Sequence, residues 1–238
     1  MLPKRLVLFV EGRGDKTALP KLARRVITHL GANDALFVDA EPFTAKGIGS
    51  LVKDGCSNWH RWLSAAGTTR KNIGAVLLVL DGDAEKVPQS WEQYVKQHKS
   101  ADFCAYRVAA MLAHEARNAR AGDAFSLAVV FAMKEFEAWL IGGVESLRGK
   151  GLAENRGSVP LSAVVPDIDV ETKRDAKGLL RELIPGYDQT LDQAVLADHV
   201  DLAMVGQRCR SFLRFQSAIN KLAEAVRAGK AIISPAIQ

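Results

Sequence analysis

The sequence predicts an α/β fold: a mainly parallel sheet flanked by helices, followed by a helical C-terminal appendage. Three observations carry this expectation. The runs Leu6 to Val10, Ala75 to Leu80 and Phe125 to Phe131 are apolar nearly throughout rather than alternating, the pattern of strands buried on both faces. Segments of helical period lie between them. Each run also stops on acids: Glu11 and Asp15, then Asp81 and Asp83, then Glu135 and Glu137.

The first strand passes through Glu11-Gly12 into a stripe formed by Leu19, Leu22, Ala23, Val26, Ile27 and Leu30, which predicts a helix from Thr17 to Leu30. Thr17 can cap it, Pro20 then falls in the first turn, and Gly31 ends it. A short strand is expected at Ala35 to Val38. Thr44 to Ser50 is a glycine-bearing loop, with Ser50 as a candidate cap for a helix reaching Ala65 and Leu51, Trp59, Trp62 and Leu63 as core. A glycine loop feeding a helix presents N–H groups to anions, so Lys46, Gly47 and Gly49 are candidates for phosphate or nucleic-acid contact, as is Lys134 after the last core strand. A flexible connection would have the same composition.

Gly74 leads into the strand closed by Asp81-Gly82-Asp83. Helices are expected over Gln89 to His98 and Ala105 to Arg120, the second with His114, Glu115, Arg117 and Arg120 on a solvated side. Beyond Gly142-Gly143 the glycines and prolines at 149, 151, 157, 160 and 166 break the pattern and mark a boundary. The expected units are a core over 1–148 and a loop-rich, then helical, region over 149–238 packed on it. Its helices are expected at Glu171 to Leu183, Leu191 to Ala197 and Gly206 to Arg227, the last accompanied by Arg208, Arg210, Arg214 and Lys221.

At 238 residues and 48% hydrophobic content the chain can bury a generous core. No apolar run approaches the roughly 20 residues that span a bilayer, and MLPKRLVLFVEG lacks the small residues of a signal-peptide cleavage site. A cytoplasmic protein without membrane contact is expected. Cys56, Cys104 and Cys209 are odd in number and far apart, which predicts buried thiols rather than a disulfide framework or zinc site. A net charge of +5 suits nucleic acid or another polyanion, as it does many ordinary proteins. More telling is the contrast between a basic chain and acidic strand ends.

In a parallel sheet all carboxyl ends share one edge, with neighbours about 4.8 Å apart. Glu11, Asp81 and Asp83 can therefore converge on one ion, with Asp15 as an outer ligand or second position. Hard carboxylate donors without Cys or His favour Mg²⁺ or Mn²⁺. Crowded carboxylates otherwise repel and raise their pKa values, and a spare Glu can act as general acid or base. Each acid also has a plainer reading: Asp-Gly-Asp is a common turn and Asp15 suits a helix start. Glu135 and Glu137, two apart, cannot share one face of a regular helix.

These residues resemble the Toprim domain of topoisomerases, bacterial primases, small ribosomal-RNA maturases and overcoming-lysogenization-defect nucleases. More narrowly, KEFEAWL at Lys134 to Leu140 and CRSFLRFQSAINKL at Cys209 to Leu222 are similar to an uncharacterised Toprim-like family of prokaryotes. The resemblance implies Mg²⁺ held by Asp81 and Asp83, Glu11 as ligand or general acid/base, Asp15 as the second acid of the first motif, and Glu135 and Glu137 as the Glu-x-Glu pair. It also implies an ABC- or AAA-type ATPase partner in phage defence. The expected activity is Mg²⁺-dependent cleavage of phosphodiester bonds in DNA or RNA. The alternative is a non-catalytic subunit that binds nucleic acid or an ATPase. A phosphatase of haloacid-dehalogenase type, with Asp81 as nucleophile and Asp83 as general acid, leaves Glu11 and Asp15 unexplained. A dinucleotide site at Gly12-x-Gly14 lacks its third glycine.

Overall fold

The computed structural model describes residues 2–236; Met1, Ile237 and Gln238 lie outside the described residues. Its parallel sheet is built from β1 (Lys4–Val10), β2 (Leu36–Val38), β3 (Phe43–Thr44), β4 (Ile73–Asp81), β5 (Ser126–Ala132) and β6 (Ile233–Ser234). The order is β2-β1-β4-β5-β6, and β3 pairs with the far end of β1. Every pairing is parallel. The mainly parallel α/β sheet flanked by helices is thus the fold of the chain.

Continuous apolarity in the central strands reflects burial on both faces. Leu6, Leu8 and Val10 join Leu77, Val79, Val130 and Ala132 in one cluster, while Val7 and Phe9 join Val76, Leu78, Leu80, Val129 and Phe131 in the other. The second cluster is covered by α2 (Gly47–Thr69), α3 (Glu92–His98) and α4 (Ala105–Glu115). Over the first lie α1 (Arg13–His29), α5 (Glu137–Gly142), α6 (Ala176–Leu183), α7 (Gln189–Ala197), α8 (Leu202–Arg208) and α9 (Arg210–Arg227). The late helices therefore share a core with the sheet, and α9 lays Phe212, Phe215, Ile219 and Leu222 onto it. Among the described residues no helix is long and apolar enough to cross a membrane.

Several boundaries differ from expectation. The first helix starts at Arg13, not Thr17, because Asp15 Oδ2 accepts from Gly12 N at 3.0 Å and caps the turn that follows β1 directly. Gly12 has no side chain with which to reciprocate. Pro20 consequently lies inside the helix; the carbonyl it leaves without a partner, that of Lys16, belongs to an exposed residue. Ser50 does not cap α2. Lys46 holds the cap position in left-handed backbone, and the helix is interrupted at Lys53–Cys56, where Lys53 is extended and Asp54, Gly55 and Cys56 are left-handed. Helix α6 starts at Ala176, with Asp175 accepting from Gly178 N at 2.9 Å, rather than at Glu171. Glu171 instead accepts from Arg210 N and Ser211 N, both at 2.8 Å, which splits the expected long helix into α8 and α9 at Cys209. Cys104 is half-buried, while Cys56 and Cys209 are buried as expected, which pushes both of these thiols up to about 12.

Ser211 ties α9 to the end of β5. Its buried Oγ accepts from Met133 N at 3.2 Å and from Trp139 Nε1 at 2.7 Å. Trp139 packs between Phe136, Phe212 and Phe215. Replacing Ser211 by Ala leaves two donors without an acceptor, so urea unfolding of Ser211→Ala should show a loss of about 2 to 4 kcal/mol. A loss below about 0.5 kcal/mol would mean that water replaces the hydroxyl there.

Candidate active site

Register places the acids at one edge. Val10 of β1 pairs with Val79, and Asp81, the last residue of β4, pairs with Ala132 of β5. Glu11 leaves β1 just beyond Val10 and returns a carboxylate to the neighbouring strand: its Oε2 accepts from Asp81 N at 2.9 Å. Asp81 repeats the move one strand on, with Oδ1 accepting from Phe136 N at 3.0 Å. The ends of β1, β4 and β5 are thus stitched together by the acids themselves. Gly47 lies against the same group, since a Cβ there would stand 2.9 Å from Glu11 Oε1.

Asp15, in the first turn of α1, is 5% exposed; besides Gly12 N it accepts from Gln193 Nε2 at 3.4 Å. Glu137 opens α5 at 1% exposure, and its Oε1 accepts from Tyr187 O–H at 3.4 Å. Glu135 precedes the helix and accepts from Lys177 N at 2.9 Å, and its charge acts on Glu137. Asp83 is exposed yet near enough for its charge to act on Glu11. Among the phosphate candidates, Gly47 reaches the acids; Lys46 and Gly49 are exposed, and Lys134 acts electrostatically on Glu85.

Burial first, and then the charges of Asp83 and Asp15, raise the pKa of Glu11 against the hydrogen bond from Asp81 N. Asp81 lies well above the usual carboxylate range through burial and the charges of Asp15, Glu11 and Glu137. Glu137 is pushed up to about 7, chiefly by burial, with Glu135 and Asp15 adding to it and Lys177 opposing. Asp15 is raised by burial and relieved by Gly12, Gln193 and Lys177. The pocket holds more negative charge than its own donors offset.

Such a pocket fits a divalent cation chemically. Its donors are hard oxygens, its excess charge is negative, and Glu11 and Asp81 each give only one oxygen to a backbone N–H. Among the described residues, however, no three acidic, His or Cys side chains are already spaced to hold one ion. The elements that close the pocket come from the late helices: Lys177 from α6, Tyr187 before α7 and Gln193 within it. Sequence reasoning did not single these out as site residues. Lys177 sits in a run with Lys173, Arg174 and Arg181 that reads as a solvated basic face, and Gln193 carries no local signal.

The family described as a domain of unknown function (DUF4276) matches residues 10–220. No curated protein matches. Among solved structures, the C-terminal region of the Xanthomonas campestris pv. campestris OLD protein is 16% identical, with 95% of this chain and 97% of that chain covered at a TM-score of 0.41. The C-terminal region of the Burkholderia pseudomallei OLD protein is 15% identical, with 96% and 99% covered at 0.39.

The charge excess has a sign that can be measured. Between the ordinary carboxylate value of 4.5 and about 7, folded Glu137 holds a proton that the unfolded chain has lost. Its contribution is therefore most favourable below 4.5 and is lost as pH rises towards 7. In EDTA, wild-type stability should fall by about 2.5 kcal/mol more between pH 5 and pH 8 than that of Glu137→Gln. Parallel pH profiles in urea unfolding would show that Glu137 is not held above its ordinary range.

Proposed function

The chain belongs to the DUF4276 family, and on the chemistry of its acidic sheet edge we propose that it is a Mg²⁺- or Mn²⁺-dependent enzyme that cleaves phosphodiester bonds in nucleic acid. The observation carrying this reading is the gathering of Glu11, Asp15, Asp81 and Glu137 beyond three strand ends, where burial first, and then neighbouring carboxylates, raise the pKa values of Glu11, Asp81 and Glu137. The Toprim resemblance in the sequence points the same way. Glu11, Asp81 and Asp83 would hold the cation, which supplies positive charge to polarise the phosphodiester.

The chain's own groups divide the remaining work. Glu11 is half-exposed and raised above its ordinary value, so it can hold a proton at the pocket mouth and exchange it with substrate. Asp15 is oriented by Gly12 and Gln193. Glu137 is closed off and held by Tyr187, and adds negative charge behind Asp81. Lys177 brings positive charge towards Asp15 and Glu137, where it can also attract phosphate. Residues 1–148 would carry the acids and 149–238 the wall that closes on them. The reading extends to a cytoplasmic setting in phage defence beside an ABC- or AAA-type ATPase, on the family resemblance.

One observation favours a second reading, a subunit that binds nucleic acid or an ATPase without cleaving: the missing preformed three-carboxylate set among the described residues. Purified protein with Mn²⁺ or Mg²⁺ should nick plasmid DNA or degrade RNA, and Glu11→Gln should slow this by roughly 100-fold or more. Asp81→Asn should abolish Mn²⁺ binding in calorimetry. Absence of cleavage, even with the ATPase present, overturns the nuclease reading, and absence of Mn²⁺ binding as well selects the second.

A further inference from the structure

Next to the acids stands a group of the opposite sign. Two residues beyond Asp83, Glu85 Oε1 accepts from Arg174 Nη2 in an ion pair between exposed side chains, 67% and 72% accessible. Lys86 and Lys134 lie near enough for their charges to act on the same carboxylate. Three cations thus surround one acid, leaving positive charge in excess.

These residues come from segments that also bear the pocket. Glu85 and Lys86 continue the turn after β4 that holds Asp83, Lys134 adjoins Glu135 after β5, and Arg174 stands three residues before Lys177. The backbone is fixed at each place. Glu85 O accepts from Phe103 N at 2.9 Å, Met133 N donates to Ser211 Oγ, and Asp175 accepts from Gly178 N. The acids next in sequence to Lys134 and Arg174 are engaged elsewhere, Glu135 by Lys177 N and Asp175 by Gly178 N. Lys86 and Lys134 make no ion pair among the described residues. Glu85 is therefore the carboxylate that holds Arg174, and it does so where water and salt screen the attraction.

We propose that Arg174, Lys86 and Lys134 form a subsite for a backbone phosphate of nucleic acid, and that Glu85 occupies Arg174 until that phosphate displaces it. A phosphate offers the guanidinium the paired oxygens that a carboxylate offers, and it brings the two lysines in as further partners. Glu85 returns to water when released, so the exchange strands no buried charge. Glu85 is then an internal competitor that lowers affinity for the ligand. The subsite rests on the reading of the acidic pocket as one that acts on nucleic acid. A plain structural tie between the two segments would behave differently, because loss of either partner would then act in the same direction.

A fluorescein-labelled single-stranded oligonucleotide, as DNA and as RNA, titrated in EDTA and followed by anisotropy, tests this. Glu85→Gln should tighten binding about threefold, whereas Arg174→Gln should weaken it about tenfold and flatten its salt dependence by about one ion. Adding Glu85→Gln to Arg174→Gln should give a smaller gain than in wild type, since the carboxylate acts through Arg174. Both side chains are exposed, so circular dichroism should be unchanged in every variant. Weaker binding in both single variants indicates a structural tie and overturns the proposal. Equal gains in the two backgrounds, unchanged affinities, or no saturable binding by the wild type overturn it as well. Cleavage in Mn²⁺ alongside any of those results leaves the nuclease reading standing without the subsite. The expected affinities without cleavage leave the subsite on a protein that only binds.

Discussion

Carboxylates placed at the ends of neighbouring parallel strands repel one another, and the rest of this structure is arranged around that repulsion. Glu11 and Asp81 each spend one oxygen on a backbone N–H of the adjacent strand or loop, at 2.9 and 3.0 Å. Those bonds join β1 to β4 and β4 to the segment after β5, so the acids act as cross-links of the edge they crowd. Such hydrogen bonds lower a carboxylate's pKa, but burial outweighs them in both residues. Further relief comes from outside the sheet, at Asp15 from Gln193 and then Lys177 and at Glu137 from Lys177.

That dependence explains why the late helices cannot be treated as a peripheral addition. Helices α5 to α9 cover one face of the sheet, and the same segments present Lys177, Tyr187 and Gln193 to the acids. Ser211 fixes the turn after β5 from which Glu137 starts. Packing and chemistry are therefore coupled: a change that loosens α9 from β5 also moves the backbone N–H of Phe136 that Asp81 holds.

The strand ends were legible in the sequence because a buried parallel strand must be apolar until it leaves the sheet. Glu11 and Asp81 stand at that exit, and position alone singled them out. Asp15 and Glu137 were legible as acids following strands, though not how each is held. Lys177, Tyr187 and Gln193 were not, since their roles arise only when α6 and α7 dock more than 160 residues after Glu11 in the chain. The misplaced helix starts have a related cause. Thr17 looked like a cap while Asp15 performs that task for Gly12, and the division at Cys209 depends on Glu171, about forty residues away. Local propensity cannot register a cap supplied from a distance.

Gly14 shows how little space separates the two halves. A Cβ at this position would lie 2.5 Å from Gln193 Oε1 and 2.9 Å from Gln189 Cγ. Helices α1 and α7 therefore meet at a point where one of them has no side chain, and Asp15 is the next residue along. Residue 14 works as a spacer of zero thickness. Any larger residue would act as a wedge at the fulcrum of α1, swinging Asp15 relative to Glu11, which is anchored on the strand below. The identity of this one residue is thus a gauge, readable in the sequence of any relative, of whether its late helices can close on the acids as tightly as they do here.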